Sequence, residues 1–524
     1  MSDILSNEIE KSMRGGFFLV MGSIISNLIL SIYLLSIPRL LGPDDYGLFR
    51  LCNILPSIML ILTDYGVDIG ITRFVSDYIV KGEAEKVNRL FKIVLVYKTI
   101  LSIIILSFSL MLADYFAISV LNRPYLGYYI KLISLYIPFQ AIFTMLYYSF
   151  ISIDRMEYLS IVTISKSIIK VTSSIILIML NFGLLGVIIG HVLSEFLGSV
   201  IGLALMFFKV FREKGTNLPI FKTFREEITS LIKYGFPLFI STIFVRLNVQ
   251  YRSIFLSLFT SNIIIGNLQA AINILVLVSM VSQPISATLL PAFSRLKEGG
   301  KEIIEFFNLS LKYTTMIVLP LISFILIFSK EIVQLIYGFQ YEFASNFLVL
   351  WSANHFLVGI GSLILGSFLN GTGNTIIIFY VNLIKLLLVL CSLPLLMPLL
   401  GVEGLILAVI FANFIGDLYG FIITKKKYGI KYDYILMLKI YLISFISIFP
   451  VLILRSFLSM HYFIIMIICG FSYFIILITL TPLIGVIKTS ELQNIQNVLR
   501  RYRLIRYFVS PFIQYMKKLS RYSI

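Results

Sequence analysis

The sequence predicts an all-α polytopic membrane protein with about fourteen transmembrane helices, and three observations predict it. Apolar residues make up 59% of the 524-residue chain against 13% charged, with a mean hydropathy of +0.97, which is more apolar surface than a water-soluble domain can hide. Fourteen apolar stretches of membrane-spanning length fill almost all of the chain. A pattern in the first six returns about 218 residues later in the next six.

A hydrocarbon layer about 30 Å thick needs roughly 20 apolar residues at helical rise, and backbone groups inside it must be bonded within the segment. Helices follow, not a barrel. The expected spans lie near 15–37, 48–70, 92–113, 126–150, 158–180, 184–208, 234–257, 263–286, 311–329, 344–369, 375–398, 402–423, 437–457 and 461–485. Lys11 and Arg14 precede the first, but it exceeds a signal-peptide core and lacks a small-residue cleavage site, so it reads as a permanent helix. Cys52, Cys391 and Cys469 each stand alone in apolar runs, without metal-ligand or disulfide spacing.

Positive charge orients the chain, because loops that stay in the cytoplasm retain Lys and Arg. Of the 43 basic residues, 31 fall at the N-terminus, in the connections after even-numbered spans and in the tail; six, Arg39, Arg50, Arg123, Lys131, Lys330 and Arg455, fall on the other side. Both termini are therefore expected in the cytoplasm and the protein in the cell membrane. The net charge of +17 is spread over inner loops and a juxtamembrane tail, which suits anionic lipid headgroups and not nucleic acid. In residues 488–521, eight basic residues accompany Leu492, Ile495, Leu499, Tyr502, Ile505, Phe508, Phe512 and Met516 at helical spacing. That pattern resembles a basic amphipathic helix on the inner leaflet; a frayed basic tail is the alternative.

At an offset of 218, Gly183, Gly186, Ile188, Phe196, Gly198 and Gly202 coincide with Gly401, Gly404, Ile406, Phe414, Gly416 and Gly420. Close helix packing explains such glycines, but not their shared register. Six helices per repeat is an even number, so both halves begin on the same side, related by an axis along the membrane normal. The expected organisation is an N-terminal six-helix lobe (1–210), a cytoplasmic linker (211–233), a C-terminal six-helix lobe (234–425), two extra helices (426–485) and a basic amphipathic cytoplasmic tail (486–524). Two parallel lobes around a central cleft suit alternating access.

The segment Leu41–Phe49, LGPDDYGLF, after the first span resembles the first-loop signature of the polysaccharide or O-antigen oligosaccharide flippase family, part of the MATE-like (multidrug/oligosaccharidyl-lipid/polysaccharide) exporter superfamily. Further matches are KYGFP at 233–237, LLPAFSRL at 289–296 and NGTGN at 370–374. The motifs are short, but their order and helix positions also match. The resemblance implies 12 to 14 helices in two lobes and transport of isoprenoid-linked sugars from the cytoplasmic leaflet outward, with glycan-assembly enzymes as further partners. It transfers fold and substrate class, not binding residues. A major-facilitator transporter shares the two halves, but RFVSDYIVKG at 73–82 does not fit its Gly- and Arg-rich loop.

Apart from those counted with the flanking loops, six basic residues lie within the spans: Lys98, Lys166, Lys170, Arg246, Arg252 and Lys385. A charge at the bilayer centre costs on the order of 2.5–3.5 kcal/mol, so each needs water, a partner or an anionic ligand. Arg246, Lys170 and Lys385 sit roughly 15–18 Å from the inner end of their spans at helical rise. Lys98 and Lys166 are shallower and could snorkel inward, Arg252 outward. Lys166 and Lys170, one turn apart, make a positive stripe on span 5, and Lys385 matches Lys166 in the second half. A pyrophosphate linking lipid to sugar suits such a cleft, with Arg246 as a bidentate partner and Lys170, Lys385 and Lys166 as point charges. Ion pairing with Asp64, Asp68, Glu195 or Asp417 is the alternative. Gln269, Asn273 and Gln283 share one face of span 8, and Asn248 and Gln250 lie near Arg246; these amides could bond sugar hydroxyls or bridge helices. Asp64 and Asp68 could bind a coupling ion, or mark a solvated helix end near Arg73. His191, His355 and His461 are isolated, with packing as the default.

No phosphate loop, nucleotide-binding domain or metal cluster is legible, so no cofactor and no catalysis are expected. Two rivals stand beside the flippase. A lipid-sugar-dependent glycosyltransferase would use external carboxylates such as Asp44 and Asp45, but has no external domain for an acceptor. A cation-coupled multidrug exporter of the same superfamily would want acidic residues where this chain has basic ones.

Overall fold

The computed structural model describes residues 2–210, 220–296, 300–458, 460–499 and 503–522, and every regular element among them is a helix. Ten helices are long and apolar enough to cross a membrane, or up to twelve when each of two bent pairs is one span. All fourteen expected stretches fall on helices, and the lower number has two physical causes. The stretch at 48–70 is broken into Pro43–Cys52, Ile54–Ile61 and Val67–Val80, each too short to cross alone. The stretches at 375–398 and 402–423 run together as Thr375–Tyr428, with non-helical backbone only at Gly401.

Chain contacts divide the molecule into two compact units. The first comprises Met1–Met280, Ile336–Phe347 and Asn382–Ala412; the second comprises Val281–Leu335, Leu348–Val381 and Asn413–Ile524.

In the first unit, residues 62–66 interrupt the broken span, with Tyr65 and Gly66 at positive φ (49° and 87°). A Cβ on Gly66 would overlap the Gly235 backbone, and one on Gly235 would overlap the Gly66 carbonyl. Only glycine at both positions allows this approach. The partner helix, Ile220–Phe259, contains Pro237 and bends by 68° between its Phe224–Pro237 and Thr242–Phe259 parts, as a missing N–H and a ring clash require. KYGFP thus lies at a bend, and the expected linker is helical from Ile220 onward; residues 211–219 lie outside the described residues. Around this contact Val67, Ile71, Val75, Phe91, Val94, Phe150 and Leu231 form a buried apolar cluster.

In the second unit, Phe293, Phe307, Phe368 and Tyr428 pack edge to face, with centroids 4.8–4.9 Å apart along Phe293–Phe368, Phe368–Phe307 and Phe368–Tyr428. The tail folds onto this unit as Thr489–Leu499 and Arg503–Leu519. Leu492, Ile487 and Ile513 are buried together against Met316, Val509 and Met516, and Phe512 packs on Phe474 at 5.8 Å. Part of the apolar face expected on lipid therefore docks on protein. Tyr502 lies outside the described residues, as do the side chains of Ile495, Leu499, Ile505 and Phe508.

Candidate substrate site

The first unit holds a cavity of about 300 Å³, and Lys166, Lys170, Glu195 and His191 all line it. Two consecutive helices supply them. Met156–Met179 presents Lys166 and Lys170 one turn apart, and Gly183–Leu205 presents His191 and Glu195 one turn apart, so two i,i+4 stripes face each other. Ser167 and Ser26 share a 2.6 Å hydrogen bond that ties Met156–Met179 to the first helix. A Cβ on Gly198 would press on the Lys166 side chain at 3.3 Å, so this repeat glycine leaves room for the lysine stem.

The two lysines differ. Lys166 Nζ lies 2.6 Å from Glu195 Oε2, donates to Gln140 Oε1 at 2.9 Å and sits 3.8 Å from the Phe143 ring centroid. Its charge is neutralised in place. Lys170 Nζ stands 5.1 Å from the Tyr33 ring centroid and has no carboxylate partner among the described residues. Two ammonium groups thus face one carboxylate, leaving the cavity cationic. His191 is buried, edge-on to Tyr136 at 4.9 Å, and both ring nitrogens lack hydrogen-bond partners among the described residues. Asn53 Oδ1, also in the lining, lacks one too.

The remaining candidates, Gln283 apart, lie elsewhere in the same unit. Arg246 is exposed on Ile220–Phe259 and does not line the cavity. Lys385 is half-buried, and its carbonyl accepts from Asn248 Nδ2 at 3.4 Å. Asn273 is buried and donates to Leu34 O at 3.1 Å and to Tyr46 Oη at 2.8 Å, while Gln269 donates to Asn273 Oδ1 at 3.0 Å. Both Asn273 amide hydrogens are therefore engaged in joining helices, one on the tyrosine of the LGPDDYGLF segment. Gln283, in the second unit, is exposed.

Neither a solvated helix end at Asp64 and Asp68 nor a snorkelling Lys98 survives in the structure. Lys98 is fully buried, with Nζ 3.1 Å from Asp64 Oδ1 and 2.9 Å from Asp68 Oδ2. The break at 62–66 causes this, because it turns both aspartates inward onto Ala84–Tyr115. Arg73 instead stacks on Tyr234 at 4.3 Å. His191 was the signal most easily missed, since a lone histidine in an apolar run normally packs; its spacing from Glu195, opposite that of Lys166 from Lys170, was the available clue.

Membrane-length helices, some broken or bent, and a charged cavity within the first unit fit a multi-pass membrane protein of the transporter class. Within that class the chain belongs to the polysaccharide biosynthesis protein family, whose model matches residues 12–297. Solved structures agree on the fold. The chain is similar to the lipid II flippase MurJ in an inward closed conformation, at TM-score 0.72 and 16% identity, covering 88% of this chain and 98% of that one. It is similar to an inward-facing multidrug resistance MATE family transporter of the MOP superfamily, at 0.59 and 17%, covering 78% and 94%. A MOP superfamily transporter from Pyrococcus furiosus, with a binding pocket of reverse polarity, matches at 0.53 and 14%, covering 79% and 95%. No curated protein matches by sequence.

Proposed function

We propose that this protein is a flippase that moves isoprenoid-pyrophosphate-linked oligosaccharide from the cytoplasmic to the outer leaflet of the cell membrane by alternating access, for assembly of cell-surface polysaccharide. Lys170 carries the reading: a cavity-lining ammonium, one turn from a lysine already neutralised by Glu195, suits a pyrophosphate that supplies the missing negative charge. Lys166 is the adjacent contact, and Arg246 and Lys385 are further phosphate contacts. Gln269 and Asn248 are the candidate sugar contacts, Asn273 being already engaged between helices, and Asp64 and Asp68 the candidate coupling carboxylates. Family membership and the likeness to a lipid II flippase support the substrate class. The basic inner loops support cytoplasmic termini, and the repeat supports lobes at 1–210 and 234–425.

The multidrug exporter remains the second reading, favoured by likeness to MATE transporters. Transbilayer movement of a fluorescent isoprenoid-pyrophosphate glycan in proteoliposomes separates the two. Rapid movement by the wild type, lost in Lys170→Ala, supports the flippase. A folded wild type that moves no glycan but exports cationic dyes supports the exporter.

A further inference from the structure

We propose that the second unit carries a binding site for an anionic glycerophospholipid, with the headgroup at Lys301, Lys431 and Lys488 and an acyl chain in the apolar groove alongside. The headgroup region is a cavity of about 900 Å³ lined by five lysines against Glu305, Asp433 and Glu491. Two of those lysines are engaged. Lys312 Nζ lies 2.7 Å from both carboxylate oxygens of Glu491, and Lys439 Nζ donates to Ile484 O at 2.8 Å. Lys301, Lys431 and Lys488 are exposed, and their ammonium groups make no ion pair among the described residues.

A second cavity, of about 880 Å³, is lined almost wholly by apolar side chains such as Phe324, Phe474, Leu477 and Ile513. Its few hydroxyls are already satisfied: Ser444 donates to Ile440 O at 2.9 Å, Thr481 to Leu477 O at 2.6 Å and Tyr473 to Ser444 O at 3.3 Å. Nothing is left there to bond a sugar, and water gains nothing by entering. Val486 lines both cavities, so the cationic one adjoins the apolar one.

A ligand matching both must join an anionic head to a hydrocarbon chain. The bilayer supplies such molecules at high local concentration, and basic pockets between helices at the cytoplasmic face recognise their headgroups. Three ammonium groups without an ion pair among the described residues favour a net-negative headgroup over a zwitterionic one. The docked tail builds one wall of the groove, since Val509, Phe512, Ile513 and Met516 line it. The Lys312–Glu491 pair holds that tail in place, and Glu491 also accepts from the Lys488 backbone N–H at 2.9 Å. This site shares no residue with the cavity assigned to the substrate and does not depend on that assignment.

The test is native mass spectrometry of the full chain, delipidated and titrated with phosphatidylglycerol, phosphatidylcholine, inorganic phosphate or an isoprenyl pyrophosphate. The expected result is saturable binding of phosphatidylglycerol, weakened at least about tenfold in the Lys301→Gln/Lys431→Gln/Lys488→Gln variant. Leu321→Trp, which fills the groove, weakens the same binding while leaving the lysines intact. All three lysines are exposed, and an unchanged unfolding temperature checks that the variant is folded. Equal binding of phosphatidylcholine, or unchanged phosphatidylglycerol binding in both variants, overturns the proposal. Inorganic phosphate binding as tightly makes this a soluble-anion site and also overturns it. Isoprenyl pyrophosphate alone at the site gives it to the substrate, with the same consequence.

Discussion

Two lysines one turn apart have opposite expected phenotypes, because only one has its charge neutralised in place. Lys166 is paired to Glu195, whose side chain is 5% exposed. Lys166→Ala breaks that buried pair, at a cost of about 3–5 kcal/mol. A lower unfolding temperature in detergent, restored in the Lys166→Ala/Glu195→Gln double variant, checks this. Lys170 stands beside an aromatic face and makes no ion pair among the described residues, so Lys170→Ala should leave stability nearly unchanged while abolishing glycan movement. Lys98 belongs with Lys166, since Lys98→Met strands two carboxylates; a loss of about 3–5 kcal/mol is expected by the same unfolding measurement. The positive stripe at Lys166 and Lys170 was legible because a charge inside a span is costly and helical spacing shows which charges share a face. Lys98 was misread because its depth alone allowed snorkelling, and the break that turns Asp64 and Asp68 onto it carries no charge signal. Tyr46 and Asn273 were legible separately, one in a motif and one on a polar face, but not as partners 227 residues apart.

At the level of elements, breaks and bends position the polar groups. The Val67–Val80 helix starts where Gly66 meets Gly235, and Gly235→Ala drives a methyl into the Gly66 carbonyl. Overpacking of this kind costs about 1–3 kcal/mol or more, and a fall in folded yield with a lower unfolding temperature is the expected outcome. Arg123 fixes the other end of the same bent helix. Its guanidinium donates to Asn262 Oδ1 at 2.6 Å, Ser257 O at 2.9 Å and Thr260 O at 2.8 Å, thereby capping Ile220–Phe259. Arg123→Ala should destabilise by about 1–3 kcal/mol, whereas Arg123→Lys recovers only part of that loss because it lacks the planar fork. Hydrophobic periodicity located all these helices, since span length follows from bilayer thickness. It located neither the interruption at 62–66 nor the docking of the tail, because each depends on a partner far along the chain.

The chain belongs to a polysaccharide biosynthesis family and holds a cationic cavity in its first unit. Composition and the repeat made the class legible, while the motif at Leu41–Phe49 made the family legible. The cavity needed coordinates, because Lys166, Lys170, His191 and Glu195 come from two helices and most of the remaining lining from others. Transbilayer movement of a fluorescent isoprenoid-pyrophosphate-linked glycan in proteoliposomes, wild type against Lys170→Ala, is the most direct measurement. The expected result is rapid movement by the wild type and movement at the protein-free rate by a Lys170→Ala protein with unchanged unfolding temperature. Equal movement by both would remove Lys170 from the substrate path, and no movement by folded wild type would contradict the flippase itself.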